Sequence, residues 1–372
     1  MTPERRRTIE EGRQWLLERL ERRASPLNSI DPEAAREAIG ALPGLDPEPW
    51  TATWCARAED YAVAARRAEE RGDRAAAREA WRQAYEFSFV GRYPCPSHPL
   101  KEESYARARE YFVRAAAYDD PPLEPVTVPF AGRDGEGSEV RVYVSRPAAD
   151  GPVPVVLMWG GIDTWKEEAY SRGRPLREAG VAVVVMDMPG VGEAPVRAGR
   201  DAERQWTPVF DWIAARDDLD ETRCAVWGLS FGGYWAMKLA HTHAHRLAAA
   251  VNWGGGVHIT FQPEWQERSR HASSYLMDLM AARARIFGGS TFADYVARCP
   301  ELSLLDQGLL DEPCAPLLLV NGRHDLQNAT DDIYLSLEHG DVKSVRIFPG
   351  GHMGEGPVLP TCVAWLRERL RA

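Results

Sequence analysis

The stretch Val226-Trp-Gly-Leu-Ser-Phe-Gly-Gly233 constrains the fold more than any other part of this chain. The apolar run Cys224 to Trp227 reads as a buried strand. Gly228, Ser230 and Gly232 then form a G-x-S-x-G turn, and a helical run, Tyr234 to Ala240, follows at once. Strand, tight turn and helix in that order make the setting of a nucleophile elbow. Such a turn holds its serine in a strained backbone conformation with the hydroxyl exposed. The flanking glycines leave room for strand and helix to approach closely. The helix N-terminus adds N–H groups and a partial positive charge where an oxyanion would form.

The rest of the chain supplies a framework for that turn. Residues 1 to about 118 read as helices. Arg6 to Arg23 is amphipathic, Trp54 to Arg71 and Arg74 to Phe89 resemble one tetratricopeptide-like hairpin, and Lys101 to Tyr118 is another helix. No second copy follows at that period, which argues against a repeat array. From about residue 126 the pattern changes to alternating strand and helix. Val126 to Phe130 and Val140 to Ser145 alternate like strands. Val153 to Trp159, Val181 to Met186, Ala248 to Asn252, Leu317 to Val320 and Val345 to Phe348 are short apolar runs. Glu167 to Ala179, Ala202 to Arg216 and Thr361 to Leu370 read as helices. This pattern predicts an α/β fold with a mostly parallel central sheet and helices on both faces. The alternation stops between Gly254 and Asp311, where Ser273 to Phe287 and Thr291 to Cys299 look helical. The expected organisation is a helical N-terminal domain over 1–122 that contributes to a cap, and a core over 123–372. A cap insertion at about 257–311 interrupts that core.

A serine hydroxyl is a weak nucleophile and needs a base, which in turn needs an acid to orient it. In this fold class the chain order is serine, acid, histidine. Asp325 lies in the loop Asn321-Gly-Arg-His-Asp325 after one buried strand, and His352 in Pro349-Gly-Gly-His352 after the next. Both would emerge at the sheet edge where the elbow opens. Ser230, Asp325 and His352 are therefore the expected catalytic residues; Asp331 and Asp332 are rivals for the acid that read better as a helix start. The oxyanion hole needs two N–H donors. Phe231 follows the nucleophile, and Gly161 or Ile162, after the strand ending at Trp159, would supply the second.

The 372 residues carry a net charge of -10, which argues against a nucleic-acid partner. No apolar run approaches a membrane span, and Met1 to Arg23 has no apolar h-region, so neither membrane insertion nor a secretory leader is expected. Six cysteines without C-x-x-C spacing read as free thiols in a reducing cytoplasm. His241, His243 and His245 are two residues apart and do not share a helix face, so no metal site is expected there. No cofactor motif is present. Thirteen tryptophans suggest an aromatic-rich pocket. Trp165, Trp253 and Phe261 are expected to shape it, with His258 and Glu264 reaching in from the start of the cap. The amphipathic N-terminal helix allows a homodimer.

With these residues in place, the chain resembles the FrsA-like esterase family of α/β-hydrolases. It resembles most the subgroup holding 2,6-dihydroxypseudooxynicotine hydrolase and the fungal pigment-pathway hydrolases. The matching pieces are Trp159-Gly-Gly-Ile-Asp-Thr-Trp-Lys-Glu-Glu168, Asp187-Met-Pro-Gly-Val-Gly192, Gly228-Leu-Ser-Phe-Gly-Gly233, Trp253-Gly-Gly255, Gly322-Arg-His-Asp325 and Gly351-His352. The resemblance covers about residue 50 onward. It implies an α/β-hydrolase fold and a serine hydrolase that works through an acyl-enzyme. The implied substrate is a small molecule, a bulky polyketide-like or aromatic acyl compound, cleaved at a C–C bond next to a ketone or at an ester. It also implies an acidic cap residue that assists C–C cleavage, for which Glu264 is the candidate. An acyltransferase or cyclase would use the same three side chains. A helical interaction module on a non-catalytic scaffold is a third reading.

Overall fold

A computed structural model describes residues 7–270 and 275–371. Arg6, Ser273 and Ser274, at the starts of two expected helices, lie outside the described residues. The described residues form two compact units, one of residues 7–123 with 275–282 and one of residues 124–270 with 283–371.

The first unit is helical: α1 (Ile9–Glu21), α2 (Pro32–Ala41), α3 (Pro47–Glu70), α4 (Arg74–Gly91) and α5 (Pro99–Ala116). Helix α1 starts with a capping box, in which the Thr8 hydroxyl and the Glu11 carboxylate satisfy each other's backbone N–H groups. The hairpin of α3 and α4 turns at Gly72, whose φ of 71° is open to glycine. Trp50 and Trp54 meet at 5.5 Å inside it, and Tyr61 stacks on Phe87 at 5.4 Å. The buried Lys101 ammonium donates to Asp278 at 3.0 Å and to the Tyr93 carbonyl at 2.9 Å, which ties residue 278 into this unit. The sequence pattern did not separate α2, which is too short to show a clear period.

The second unit is built on an eight-stranded sheet in the order β1-β2-β4-β3-β5-β6-β7-β8. Its strands are β1 (Glu124–Pro129), β2 (Glu139–Ser145), β3 (Val153–Trp159), β4 (Ala182–Val185), β5 (Leu219–Leu229), β6 (Ala249–Trp253), β7 (Leu317–Gly322) and β8 (Ser344–Phe348). Strand β2 runs antiparallel to both β1 and β4, and the remaining pairings, from β4 through β8, are parallel. The central strands are mostly apolar because helices cover both faces, and β4 and β6 are buried at every residue. The helices are α6 (Lys166–Arg172), α7 (Arg174–Glu178), α8 (Thr207–Ala214), α9 (Phe231–Thr242), α10 (Pro263–Ser269), α11 (Leu279–Ile286), α12 (Phe292–Arg298), α13 (Asp331–Leu337) and α14 (Val358–Leu370). Residues of α11 from Arg283 onward belong to this unit. The helix expected over Glu167 to Ala179 is broken at Gly173. A β-carbon there would sit 2.7 Å from Val183 of β4, so glycine lets the break press against the sheet.

This topology fixes where chemistry can occur. The loops after β3, β5, β6, β7 and β8 all leave one edge of the sheet, the carboxyl ends of the parallel strands.

Candidate active site

The elbow takes the strained form that its glycines permit. Ser230 has φ 55° and ψ -128°, a region that side chains other than glycine seldom enter. Its N–H donates to the Trp253 carbonyl at 2.7 Å, and its own carbonyl accepts from Gly233 at 2.8 Å. A β-carbon on Gly232 would lie 2.1 Å from the Gly160 carbonyl oxygen, so the turn closes only with glycine there. The Trp159 indole donates to the Gly232 carbonyl at 2.7 Å and pins the elbow to the end of β3.

The loops after β7 and β8 bring a hydrogen-bonded line to that serine. Ser230 Oγ lies 2.7 Å from His352 Nε2, and His352 Nδ1 lies 2.7 Å from Asp325 Oδ2. Asp325 is held in turn. Its Oδ1 accepts from the N–H groups of Gln327 at 2.7 Å and Asn328 at 3.1 Å, and its Oδ2 accepts from Asn321 Nδ2 at 2.8 Å. The Asn321 side-chain oxygen Oδ1 accepts from the N–H of Met353 at 3.1 Å, which joins the histidine loop to the acid's partner. Asn321 was not singled out from sequence, although a polar residue closing an apolar strand beside the acid was the available signal.

Burial opposes the charged form of both groups. At His352 the Asp325 carboxylate and its hydrogen bond overcome that effect, with Asp163 adding to them, and hold the imidazole above its ordinary pKa; the Arg283 charge pulls the other way. At Asp325 burial is outweighed by the His352 charge and hydrogen bond and by Asn321, so the carboxyl is held below its ordinary value. The arrangement therefore favours an ionised acid beside a histidine ready to take a proton.

Phe231 and Ile162 both line the cleft at Ser230. Phe231 opens α9, and its N–H is one of those that a helix start leaves without an internal acceptor. Of the two residues expected to give the second donor, Gly161 directs its N–H to the Thr164 hydroxyl at 3.3 Å, whereas Ile162 lines the cleft beside Ser230 and Phe231. The geometry thus favours Ile162 over Gly161. Gly161 has a steric part instead, since a β-carbon on it would sit 2.9 Å from that of Ser230.

The cleft at Ser230 is narrow and largely polar, lined by Ile162, Phe231, Gln266, Arg283, Tyr295, Gln327 and Asn328 besides the serine. Phe231 and Tyr295 are the aromatic members of this lining, and Trp165, Trp253 and Phe261 take other positions. Trp165 Nε1 donates to the Ile162 carbonyl at 3.2 Å, and Trp253 Nε1 donates to the Met353 carbonyl at 2.6 Å. These indoles are buried staples that hold the loops. Phe261 packs behind the site, edge-on to Phe231 at 5.8 Å and Tyr234 at 4.9 Å. His258 meets the Ser303 hydroxyl at 2.7 Å, away from the cleft lining. Glu264 sits exposed on the outer side of α10, while Gln266 two residues on takes the inward position. A short helix presents residues 264 and 266 to different sides, which no spacing argument without the helix start could resolve. Gln266, Arg283, Tyr295, Gln327 and Asn328 were not identified from sequence because nothing in their local pattern marks them.

The segment that carries these residues is anchored by one side chain. Asp332, at the start of α13, accepts four N–H groups: Val257 at 2.9 Å, His258 at 3.0 Å, Ile259 at 2.7 Å and Thr260 at 3.0 Å. His241 and His243 bond to different partners, the Glu312 carbonyl and Thr207.

The sequence profile of the family described as Esterase FrsA-like matches residues 27–370. The chain belongs to the FrsA-like esterase family. It is 29% identical over 327 residues to Esterase FrsA of Salmonella paratyphi B, covering 86% of this chain and 77% of that protein. It is 31% identical over 226 residues to Hydrolase ORFZ of Pyricularia oryzae, a match over 55% of this chain and about half, 52%, of the relative. In three dimensions it is similar to the 2,6-dihydroxy-pseudo-oxynicotine hydrolase, with TM-score 0.74, 22% identity, and coverage of 97% of this chain and 95% of that one. AbyA5 superposes with TM-score 0.71 and 24% identity, over 90% of this chain and 92% of the other. At these identities the two structures speak for the fold, that of an α/β-hydrolase. Among the described residues, no helix is long and apolar enough to cross a membrane.

Proposed function

We propose that this member of the family is a serine hydrolase that works through an acyl-enzyme on Ser230. The observation that carries the reading is the unbroken line from Ser230 Oγ through His352 to Asp325, with both links at 2.7 Å. Ser230 Oγ attacks the substrate carbonyl carbon as His352 Nε2 takes the hydroxyl proton. The carbonyl oxygen becomes an oxyanion facing the N–H groups of Phe231 and Ile162, which stabilise it. As the tetrahedral intermediate collapses, the bond to the leaving group breaks and that group takes the proton from His352. Water, deprotonated by the same histidine, then attacks the acyl-enzyme and releases the acid. Asp325 holds the imidazole tautomer and stabilises its charge.

The substrate in this reading is a small acyl compound of polyketide-like or aromatic type, cleaved at a C–C bond next to a ketone or at an ester. The hydrolases among the relatives support that range. C–C cleavage requires a carbanion stabilised as an enolate, whereas an ester releases an alkoxide; the nucleophile, base and oxyanion donors serve both. No disulfide joins any of the six cysteines, which supports a reducing compartment, the cytoplasm.

Incubation with a fluorophosphonate probe, followed by peptide mass mapping, tests the reading. The expected result is one adduct, on Ser230, lost in His352→Ala. Folded protein that stays unlabelled, or is labelled elsewhere, would overturn it.

A further inference from the structure

The buried cations of the second unit differ in their partners, and Lys343 donates to the backbone carbonyls of His339 and Asp341. Lys166 and Lys238 are buried, and each meets a carboxylate: Lys166 meets Asp187 at 2.8 Å, and Lys238 meets Glu203 at 3.0 Å. Arg283 is equally enclosed, 5% exposed. Yet its partners are neutral. Nη1 donates to Gln266 Oε1 at 3.1 Å and to Ser269 Oγ at 2.9 Å. Both bonds come from the same nitrogen, so the rest of the guanidinium fork is left for other acceptors. Among the described residues, no carboxylate lies within ion-pair distance of it.

A buried charge without a counter-charge is costly, and where such a charge lines a cleft a bound anion can offset that cost. Arg283 lines the cleft that also holds Ser230 and both oxyanion donors. Its neighbours there, Gln266, Gln327, Asn328 and Tyr295, carry no charge. The cleft thus presents one fixed positive charge beside the nucleophile, and nothing in its lining neutralises it. A planar fork with free N–H groups matches a carboxylate in bidentate fashion. A single guanidinium also matches a singly charged group better than a doubly charged phosphate.

We propose that Arg283 is a substrate-binding residue that receives a carboxylate carried by the molecule Ser230 attacks. Arg283 and Ser230 line the same small cleft, which would set that carboxylate near the scissile carbonyl. Specificity would then be for acyl compounds bearing an acid group, and neutral esters would be poor substrates. The inference rests on the serine hydrolase reading and narrows its substrate class.

The test compares two p-nitrophenyl esters of similar length, the hemiglutarate, with a free carboxylate, and the neutral valerate. Wild-type enzyme is expected to show kcat/KM at least tenfold higher for the hemiglutarate, chiefly through KM. Glutarate is expected to inhibit competitively, and glutaramide is not. In Arg283→Met the hemiglutarate-to-valerate ratio should fall at least tenfold. Arg283→Lys, which keeps the charge and loses the fork, should fall between. Guanidinium ion should restore part of the preference to the methionine variant, a rescue that a merely structural arginine would not show. Equal kcat/KM for the two esters in wild type, or inhibition by glutaramide as strong as by glutarate, would overturn the proposal without any variant having to fold. Failure of the underlying reading looks different: neither ester is turned over and the fluorophosphonate leaves Ser230 unmodified.

Discussion

Gly161 approaches Ser230 so closely that a β-carbon on the glycine would stand 2.9 Å from the serine's Cβ and 3.2 Å from its Oγ. The residue beside the oxyanion donor is therefore fixed by the nucleophile's volume. Gly161→Ala must displace either the loop after β3 or the serine rotamer. A misplacement of about 1 Å at reacting atoms can lower turnover by about a hundredfold. We expect a loss of that order in kcat and in the rate of fluorophosphonate labelling, with a melting temperature close to wild type. Normal labelling of the alanine variant would show that the loop yields at no cost to the chemistry.

The pH profile follows from the opposition of burial and Asp325 at His352. The base must be neutral to accept the serine proton, so activity rises with pH as the imidazolium loses its proton. Because the histidine is held above its ordinary pKa, the acid limb of kcat/KM should lie above about 6.5. Asp325→Asn removes the carboxylate that favours the imidazolium. The limb should move to lower pH while kcat falls by about 10⁴, as the wrong tautomer becomes favoured. Arg283→Met removes a charge that disfavours the imidazolium, so its limb should move the opposite way. Titration of kcat/KM from pH 5 to 9 reads all three; coincident limbs would separate these side chains from the base.

Much of this was legible because it rests on local patterns. Apolar runs gave the parallel strands, and each expected catalytic side chain stands directly after one of them, so strand order alone brought residues 230, 325 and 352 to one edge. The oxyanion choice was not legible, since it depends on the Thr164 hydroxyl claiming the Gly161 N–H across a turn. The cleft lining was least accessible. Gln266 and Arg283 lie on separate short helices of the insertion and meet through hydrogen bonds, and no periodicity in the sequence records which side of such a helix faces in. The parts of Trp165 and Trp253 were not legible for a related reason. An indole can fill a pocket or staple a loop, and only the acceptor of its N–H distinguishes the two.

Asp332 is expected to matter more for stability than for chemistry. Its carboxylate is the shared acceptor for four consecutive N–H groups at residues 257–260. Removing it leaves donors without acceptors in a buried segment, each such donor being worth about 1–3 kcal/mol. Relaxation of the loop will recover part of this. Asp332→Ala should lose about 3 kcal/mol in urea unfolding, and Asp332→Asn, which keeps one acceptor oxygen, somewhat less. The proteolytic susceptibility of the segment after β6 should rise in parallel. A loss below about 1 kcal/mol would mean that water replaces the carboxylate there.

Behind the oxyanion loop, Lys166 meets three carboxylates: Asp187 at 2.8 Å, Glu193 at 2.9 Å and Glu167 at 3.2 Å. Glu193 is part-exposed and also pairs with Arg141 at 2.6 Å, so the one ammonium faces two fully buried carboxylates, and Glu167 is the group that yields. Burial raises its pKa, and the neighbouring Asp187 reinforces burial against the pull of Lys166. Its Oε2 is buried without a hydrogen-bond partner, which disfavours the ionised form further. A carboxyl whose pKa is raised by folding keeps its proton to higher pH than the unfolded chain does. Between the two values the unfolded state binds fewer protons, so this group's contribution to stability falls as pH rises from about 4.3. Glu167→Gln removes that fall. The variant should match wild type near pH 4 and become increasingly more stable than wild type as pH rises toward 8, measured as the difference in unfolding free energy. A difference that instead shrinks or reverses with pH would mean that Glu167 is ionised in the fold and contributes as a true partner of Lys166.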